Sequence, residues 1–191
     1  MRREYNQDHI GFDQELGIAV LADGMGGHKA GEIAAQMTVK FVLEKLQKFV
    51  LQKTSVSITG AQLLEFVSTT ISSSNAEIFR TQQEQELYKG MGTTIVATLI
   101  IGSHIYVGHV GDSRLYLYRN RKVKRLTKDH SVVQDLIDRG FYTEREAREA
   151  NVGHVVTRAM GTKSAVDVDT AEIPRLPYDL LMLCSDGLTD M

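Results

Sequence analysis

The chain holds a single cysteine, Cys184, among its 191 residues. An internal disulfide and a cysteine-rich zinc centre are therefore excluded. Cys184 sits inside an apolar run and reads as a small core residue, not as a nucleophile. Proline is nearly as scarce, with only Pro174 and Pro177, and no low-complexity linker divides the chain. No apolar stretch approaches the roughly 20 residues needed to span a bilayer. Charge of one sign is also lacking: 22 basic residues stand against 24 acidic ones, for a formal net charge of -2. That balance argues against a general nucleic-acid or membrane binder. Residues 1–6 contain no apolar signal region, so the expected compartment is the cytoplasm. With 42% hydrophobic and 24% charged residues, the composition is that of a globular protein, expected to form one domain over residues 1–191.

Two apolar runs each end in Asp-Gly. Ile18-Ala19-Val20-Leu21-Ala22 leads into Asp23-Gly24-Met25-Gly26-Gly27. Leu180-Leu181-Met182-Leu183-Cys184-Ser185 leads into Asp186-Gly187-Leu188-Thr189-Asp190. Each reads as a buried strand that delivers a carboxylate at its end. Adjacent strands would bring the two carboxylates into one oxygen-rich pocket, which suits a hard divalent cation. That arrangement points to metal-assisted hydrolysis. Taken singly, each motif is also what a tight turn or a helix N-cap requires, and Gly111-Asp112-Ser113-Arg114 shares that ambiguity. Glycine at position 24 lets a backbone carbonyl approach a cation closely.

Periodicity supplies the framework. Residues 30–49 read as a helix, with Ile33, Met37 and Phe41 at four-residue spacing. A second helix fits residues 61–83, where Leu64, Val67, Ile71 and Ile78 form one stripe. Residues 93–101 form a β-branched run. Gly102-Ser103-His104 and Arg119-Asn120-Arg121-Lys122 mark turns between further strands. Residues 131–140 read as a helix closing on Gly140, and Thr143 with Glu146 forms a capping box for a short helix. Residues 131–155 thus interrupt the strand pattern as a polar insertion. It serves either to touch substrate or as a plain solvated connection.

The order of these pieces is more specific than any one of them. Arg3-Glu4-Tyr5-Asn6-Gln7-Asp8, Asp23-Gly24-Met25-Gly26-Gly27-His28, Gly92-Thr93-Thr94, Gly111-Asp112-Ser113-Arg114, Thr157-Arg158-Ala159-Met160-Gly161 and Ser185-Asp186-Gly187-Leu188-Thr189-Asp190 follow one another along the chain. In this the sequence resembles the bacterial metal-dependent Ser/Thr protein phosphatases of the PPM, or type 2C, family. The resemblance implies an α+β fold, a four-layer α-β-β-α sandwich of two antiparallel sheets flanked by helices. It implies that residues 131–155 are the family's mobile flap beside the site.

By the same resemblance, Asp23 bridges two Mn²⁺ or Mg²⁺ ions and the Gly24 carbonyl helps bind the second. Asp186 binds the first, and Asp8 binds or orients waters at the second. Asp112 and Asp190 match ligands of a third, weaker ion. Arg3 matches the phosphate-binding arginine, whose fork suits bidentate contact with a dianion. The catalytic set so implied is Arg3, Asp8 and Asp23. Where eukaryotic relatives carry a proposed general-acid histidine, this chain has Met25. His28 reads as a capping or surface residue. His130, at the start of the insertion, could contact substrate. His9, His104, His109 and His154 show no metal-ligand spacing.

The expected substrates are phosphoserine and phosphothreonine proteins, those of an opposing Ser/Thr kinase. Relative to the family, the sequence ends before an Asp-Asn motif that supplies one more ligand to the first ion. The alternative expectation is therefore a catalytically impaired fragment or a phosphoprotein-binding scaffold on the same fold. A small-molecule phosphatase on this fold is a third reading.

Overall fold

The computed structural model describes residues 6–26, 30–52, 58–149 and 155–188. Arg3, His28, His154 and Asp190, together with residues 150–154 of the insertion, lie outside these ranges. One antiparallel sheet runs in the order β1 (Asp8–Asp13), β2 (Ile18–Met25), β4 (Ile95–Ile101), β5 (His104–Val110), β8 (Asp169–Pro174), and β3 (Gly92–Thr93) pairs with the end of β2. A second sheet, also antiparallel, has β6 (Arg114–Arg119) between β7 (Lys122–Arg125) and β9 (Leu180–Cys184).

The central strands are apolar on both faces because both faces are covered. Ile18, Val20, Ala22, Ile95, Ala97, Leu99 and Tyr106 enter a core beneath two helices, α1 (Ala30–Leu51) and α2 (Gly60–Glu84). Their alternates, Leu21, Val96, Ile105 and Val107, pack on Leu115 of the second sheet, with Leu181 and Leu183 at the margin. The inter-sheet layer is small, so Leu115, fully buried, is a sensitive reporter of it. Leu115→Ala is expected to cost about 2–5 kcal/mol in a urea melt. A cost under about 1 kcal/mol would show that the sheets are not held together there.

The helices match their expected spans to within two residues, but α1 buries a different face. Ala34, Ala35, Thr38, Val39, Val42 and Leu46 face the sheet, whereas Ile33, Met37 and Phe41 are only partly buried at its margin. Small residues let the α1 backbone approach β2 closely, which a stripe of Ile, Met and Phe would prevent. On α2, Val67, Ile71 and Ile78 are buried as expected, while Leu63 takes the place expected for Leu64. Gly108 in β5 admits that stripe: a Cβ there would stand 2.6 Å from Ile71 and 2.7 Å from Val67.

The run over residues 93–101 divides into β3 and β4 at Thr94. Gly102-Ser103 and Asn120-Arg121 are two-residue hairpin loops, the latter with both residues at positive φ, 51° and 61°. In the insertion, Ser131 caps α3 (Val132–Asp138) by accepting the Gln134 N–H at 3.2 Å. Thr143 and Glu146 exchange capping bonds at the start of α4 (Glu144–Glu149), at 2.8 and 3.2 Å. A bridge between Ser131 and Val156 closes the insertion.

The α+β class and the pair of stacked antiparallel sheets are as expected. Among the described residues, α1 and α2 form the one helical layer on a sheet's outer face. The outer face of the second sheet leaves Tyr118, Val123, Leu180 and Met182 exposed. No helix among the described residues is long and apolar enough to cross a membrane.

Candidate metal and phosphate site

Register in the first sheet creates the site. β1 and β2 run antiparallel with Asp8 directly opposite Asp23, so the two side chains share one face of the sheet. Asp23 lies within β2, two residues before its end, and not beyond it as the sequence suggested. Nor are β2 and β9 neighbours in a sheet: they belong to different sheets. Asp186, in the turn that follows β9, reaches Asp23 across the gap between the sheets. Both Asp8 and Asp186 come within hydrogen-bonding contact of the Asp23 carboxyl.

Burial, then the negative charges of Asp8 and Asp186, hold the Asp23 carboxyl well above the usual carboxylate range. Asp112, in the turn before β6, is pushed up to about 6, by burial first and Asp186 second. So Asp112 belongs to the same acidic group. Their carboxylates offer only hard oxygens, and their mutual repulsion is what a bound divalent cation would relieve; the residues present fit Mn²⁺ or Mg²⁺.

Hydroxyl groups fix this arrangement. The Asp23 N–H donates to Thr94 Oγ1 at 2.9 Å, and Thr94 Oγ1 lies 2.6 Å from Ser113 Oγ. Thr93 Oγ1 and the Thr94 N–H both donate to the Asp23 carbonyl, each at 2.9 Å. Ser185 Oγ donates to Asp8 Oδ2 at 2.9 Å. Sequence reasoning passed over Thr93, Thr94, Ser113 and Ser185; their place beside the acidic residues in the motifs was the available signal. Gly24 is held between Gln7, whose carbonyl accepts its N–H at 3.2 Å, and the start of α1.

The Gly111-Asp112-Ser113-Arg114 motif clasps Lys128-Asp129-His130-Ser131. Arg114 makes a bidentate pair with Asp129, at 3.0 and 2.6 Å. His130 is 7% exposed and both its ring nitrogens are engaged inside the protein, Nδ1 with the Gly111 N–H at 3.0 Å and Nε2 beside Asp169 at 3.3 Å. Burial is the largest influence on it and lowers its pKa. His109 stacks on His130, ring centroids 4.7 Å apart. Residues 109, 130 and 169 come from three separate elements, so no spacing in the sequence could have grouped them.

The raised carboxyl pKa values fix a pH dependence. Asp23 and Asp112 keep protons in the folded state to a higher pH than in the unfolded chain, where the value is about 3.9. Their contribution to metal-free stability is complete below about pH 4 and falls as pH rises through about 6 for Asp112 and higher for Asp23. The melting temperature of the EDTA-treated chain is therefore expected to drop between pH 5 and 8, and Mn²⁺ to reverse the drop. A melting temperature that rises over this interval without metal would contradict the acidic cluster.

A family model described as protein phosphatase 2C matches residues 2–191. The serine/threonine phosphatase stp of Listeria monocytogenes serotype 4b is 35% identical over 192 residues, covering 99% of this chain and 74% of that protein. The Mycobacterium tuberculosis serine/threonine phosphatase PstP/Ppp superposes with a TM-score of 0.84 at 32% identity, over 100% of this chain and 76% of that one. A PstP catalytic domain solved in complex with two manganese ions superposes with a TM-score of 0.78, also at 32% identity, over 100% of this chain and 75% of that one. Because the family match spans nearly every residue and the relatives share the fold along the whole chain, this protein belongs to the protein phosphatase 2C family and is a bacterial-type, metal-dependent Ser/Thr phosphoprotein phosphatase.

Proposed function

We propose that Asp8, Asp23 and Asp186 hold two Mn²⁺ or Mg²⁺ ions and that these residues, with Arg3, hydrolyse phosphoserine and phosphothreonine in cytoplasmic proteins modified by an opposing Ser/Thr kinase. The observation that carries this reading is the convergence of Asp8 and Asp186 on the Asp23 carboxyl from two sheets. When bound, the cations supply Lewis acidity toward the phosphoryl group and make water acidic enough to attack near neutral pH. Asp23, tied by its backbone to Thr93 and Thr94, would serve as the shared ligand. The Gly24 carbonyl and Asp8 would help hold a second ion, and Asp112 with Asp190 a third. Arg3 grips the phosphate in a bidentate contact and neutralises charge as the bond to the leaving group breaks.

No covalent intermediate is needed. Cys184 is buried, and that burial raises its thiol pKa, which leaves it inert as a nucleophile. Manganese in the related PstP structure supports Mn²⁺ as the ion to test first. Hydrolysis of p-nitrophenyl phosphate and a phosphothreonine peptide, titrated with Mn²⁺, is the direct experiment. Activity that climbs with Mn²⁺ and disappears in EDTA is expected. Turnover indifferent to EDTA would sink the metal assignment, and a folded chain with no turnover would leave the phosphoprotein-binding scaffold in its place.

A further inference from the structure

His130 joins segments that are far apart in the chain. Its N–H donates to the Gly111 carbonyl at 3.0 Å, and its Nδ1 accepts the Gly111 N–H at 3.0 Å. Its carbonyl accepts the Thr157 N–H at 2.8 Å. Gly111 is therefore gripped twice, and the two ends of the insertion are drawn together at one residue. Because Nδ1 accepts a hydrogen bond, the neutral ring carries its proton on Nε2. That N–H faces Asp169 Oδ2 at 3.3 Å. Arg158, next to Thr157, donates to Asp169 Oδ1 at 2.6 Å and to the Asp167 carbonyl at 3.1 Å.

His109, His130 and Asp169 bring ligand atoms within 4.8 Å of one another, which raises the question of a further metal site. The hydrogen bonds argue against one. A cation needs the Nε2 lone pair of His130. That pair is free only if the proton moves to Nδ1, where it would oppose the Gly111 N–H. Arg158 Nη1, whose two N–H groups are spent on the Asp167 carbonyl and Asp169 Oδ1, also stands 3.1 Å from the same nitrogen without donating to it, so a cation would meet a positive charge. His109 donates its Nε2–H to the Lys128 carbonyl at 2.9 Å, which leaves only its Nδ1 to offer a cation.

We propose that His130 is a positioning residue of this phosphatase: as the neutral Nε2–H ring, it locks the return of the insertion, through Thr157, Asp169 and Arg158, to the turn that carries Asp112. The relevance to catalysis rests on the function proposed above. The turn itself is tightly seated. Gly111 has φ of 105°, and a Cβ there would stand 2.6 Å from the Thr94 side chain. Any slackening at His130 therefore moves Asp112 relative to Asp186, and moves the insertion relative to both.

Hydrogen exchange and steady-state kinetics on the full chain test this. His130→Ala is expected to speed exchange of the Gly111 and Thr157 amides at least ~10-fold, because both partners are lost or loosened. KM for a phosphothreonine peptide rises about tenfold with kcat within about threefold, the pattern of lost substrate positioning. His130→Asn, which places an acceptor oxygen near the Nδ1 position, restores protection at Gly111. Asp169→Ala, a milder change at a half-exposed residue, loosens Thr157 and leaves Gly111 protected.

Long-range proton–nitrogen NMR correlations should show the Nε2–H form at neutral pH. An Nδ1–H ring or unchanged exchange in His130→Ala would overturn the lock. Should the unmodified chain hydrolyse neither phosphate substrate, the phosphatase reading fails alone. The exchange and tautomer results still decide the lock.

Discussion

Asp23→Asn is expected to lower Mn²⁺-dependent phosphatase activity by ~10³-fold or more while raising the melting temperature of the metal-free chain. Both effects follow from one carboxylate. Asp23 receives Asp8 from the neighbouring strand and Asp186 from the other sheet. As the shared ligand of the proposed site, it would contribute several kcal/mol of charge stabilisation with metal bound, and each ~1.4 kcal/mol is tenfold in rate. Without metal the same group is a liability, since it is only 6% exposed and faces like charges. Replacing it by the isosteric amide removes that conflict, worth on the order of 2 kcal/mol at pH 8. For a chain of this size that corresponds to roughly 4–8 °C. Saturating Mn²⁺ should then stabilise the unmodified chain and leave the variant where it was. Thermal melts at pH 8 with EDTA and with Mn²⁺, run beside the activity assay, measure both halves. A variant that is active, or less stable than the unmodified chain in EDTA, would refute the assignment.

Gly24→Ala is expected to be among the most damaging single-methyl additions in the chain. A Cβ at Gly24 would fall inside the Gly31 carbonyl at the start of α1 and stand 2.8 Å from the Gln7 carbonyl. Both obstacles are backbone, so no rotamer change relieves them. Overpacking against yielding side chains costs about 1–3 kcal/mol, and here the cost should exceed that range. The melting temperature should fall by roughly 10 °C or more, and Asp23, the adjacent residue, should lose its place together with the metal. Gly102→Ala supplies the control. Unlike Gly24 it has positive φ, 59°, but nothing lies within 4 Å of its Cβ position, so only the local backbone strain of about 1–2 kcal/mol applies. Comparable urea midpoints for the two variants would show that the approach of α1 to β2 is not what glycine at 24 serves.

Much of this protein could be read along the chain because the responsible forces act over a few residues. The long apolar runs at β2, β4 and β5 are strands buried on both faces, and their composition says so directly. The capping box at Thr143 and Glu146 and the two-residue turns at Gly102-Ser103 and Asn120-Arg121 have backbone requirements that few residue types meet. The ordered acidic motifs pointed to the right chemistry. Periodicity misled on α1, where Ile33, Met37 and Phe41 looked like the buried stripe. Contact with the sheet went to Ala34, Ala35 and Val39 instead, because close approach rewards small volume more than apolar area.

Residue type and short-range spacing thus settled the elements, their caps, and the kind of ligand that acidic turns can hold. Which groups meet was settled by strand register and by the stacking of two sheets. The Asp8–Asp23 pairing depends on β1 meeting β2 in one register, and a slip of one residue would send Asp8 to the opposite face. Asp186 joins them from the second sheet, and His130 finds Gly111, Asp169 and Arg158 only once the insertion has closed. Such contacts link residues separated by 15 positions (Asp8 and Asp23) to 163 positions (Asp23 and Asp186). Their geometry is fixed by the packing of the whole core, which no local pattern encodes.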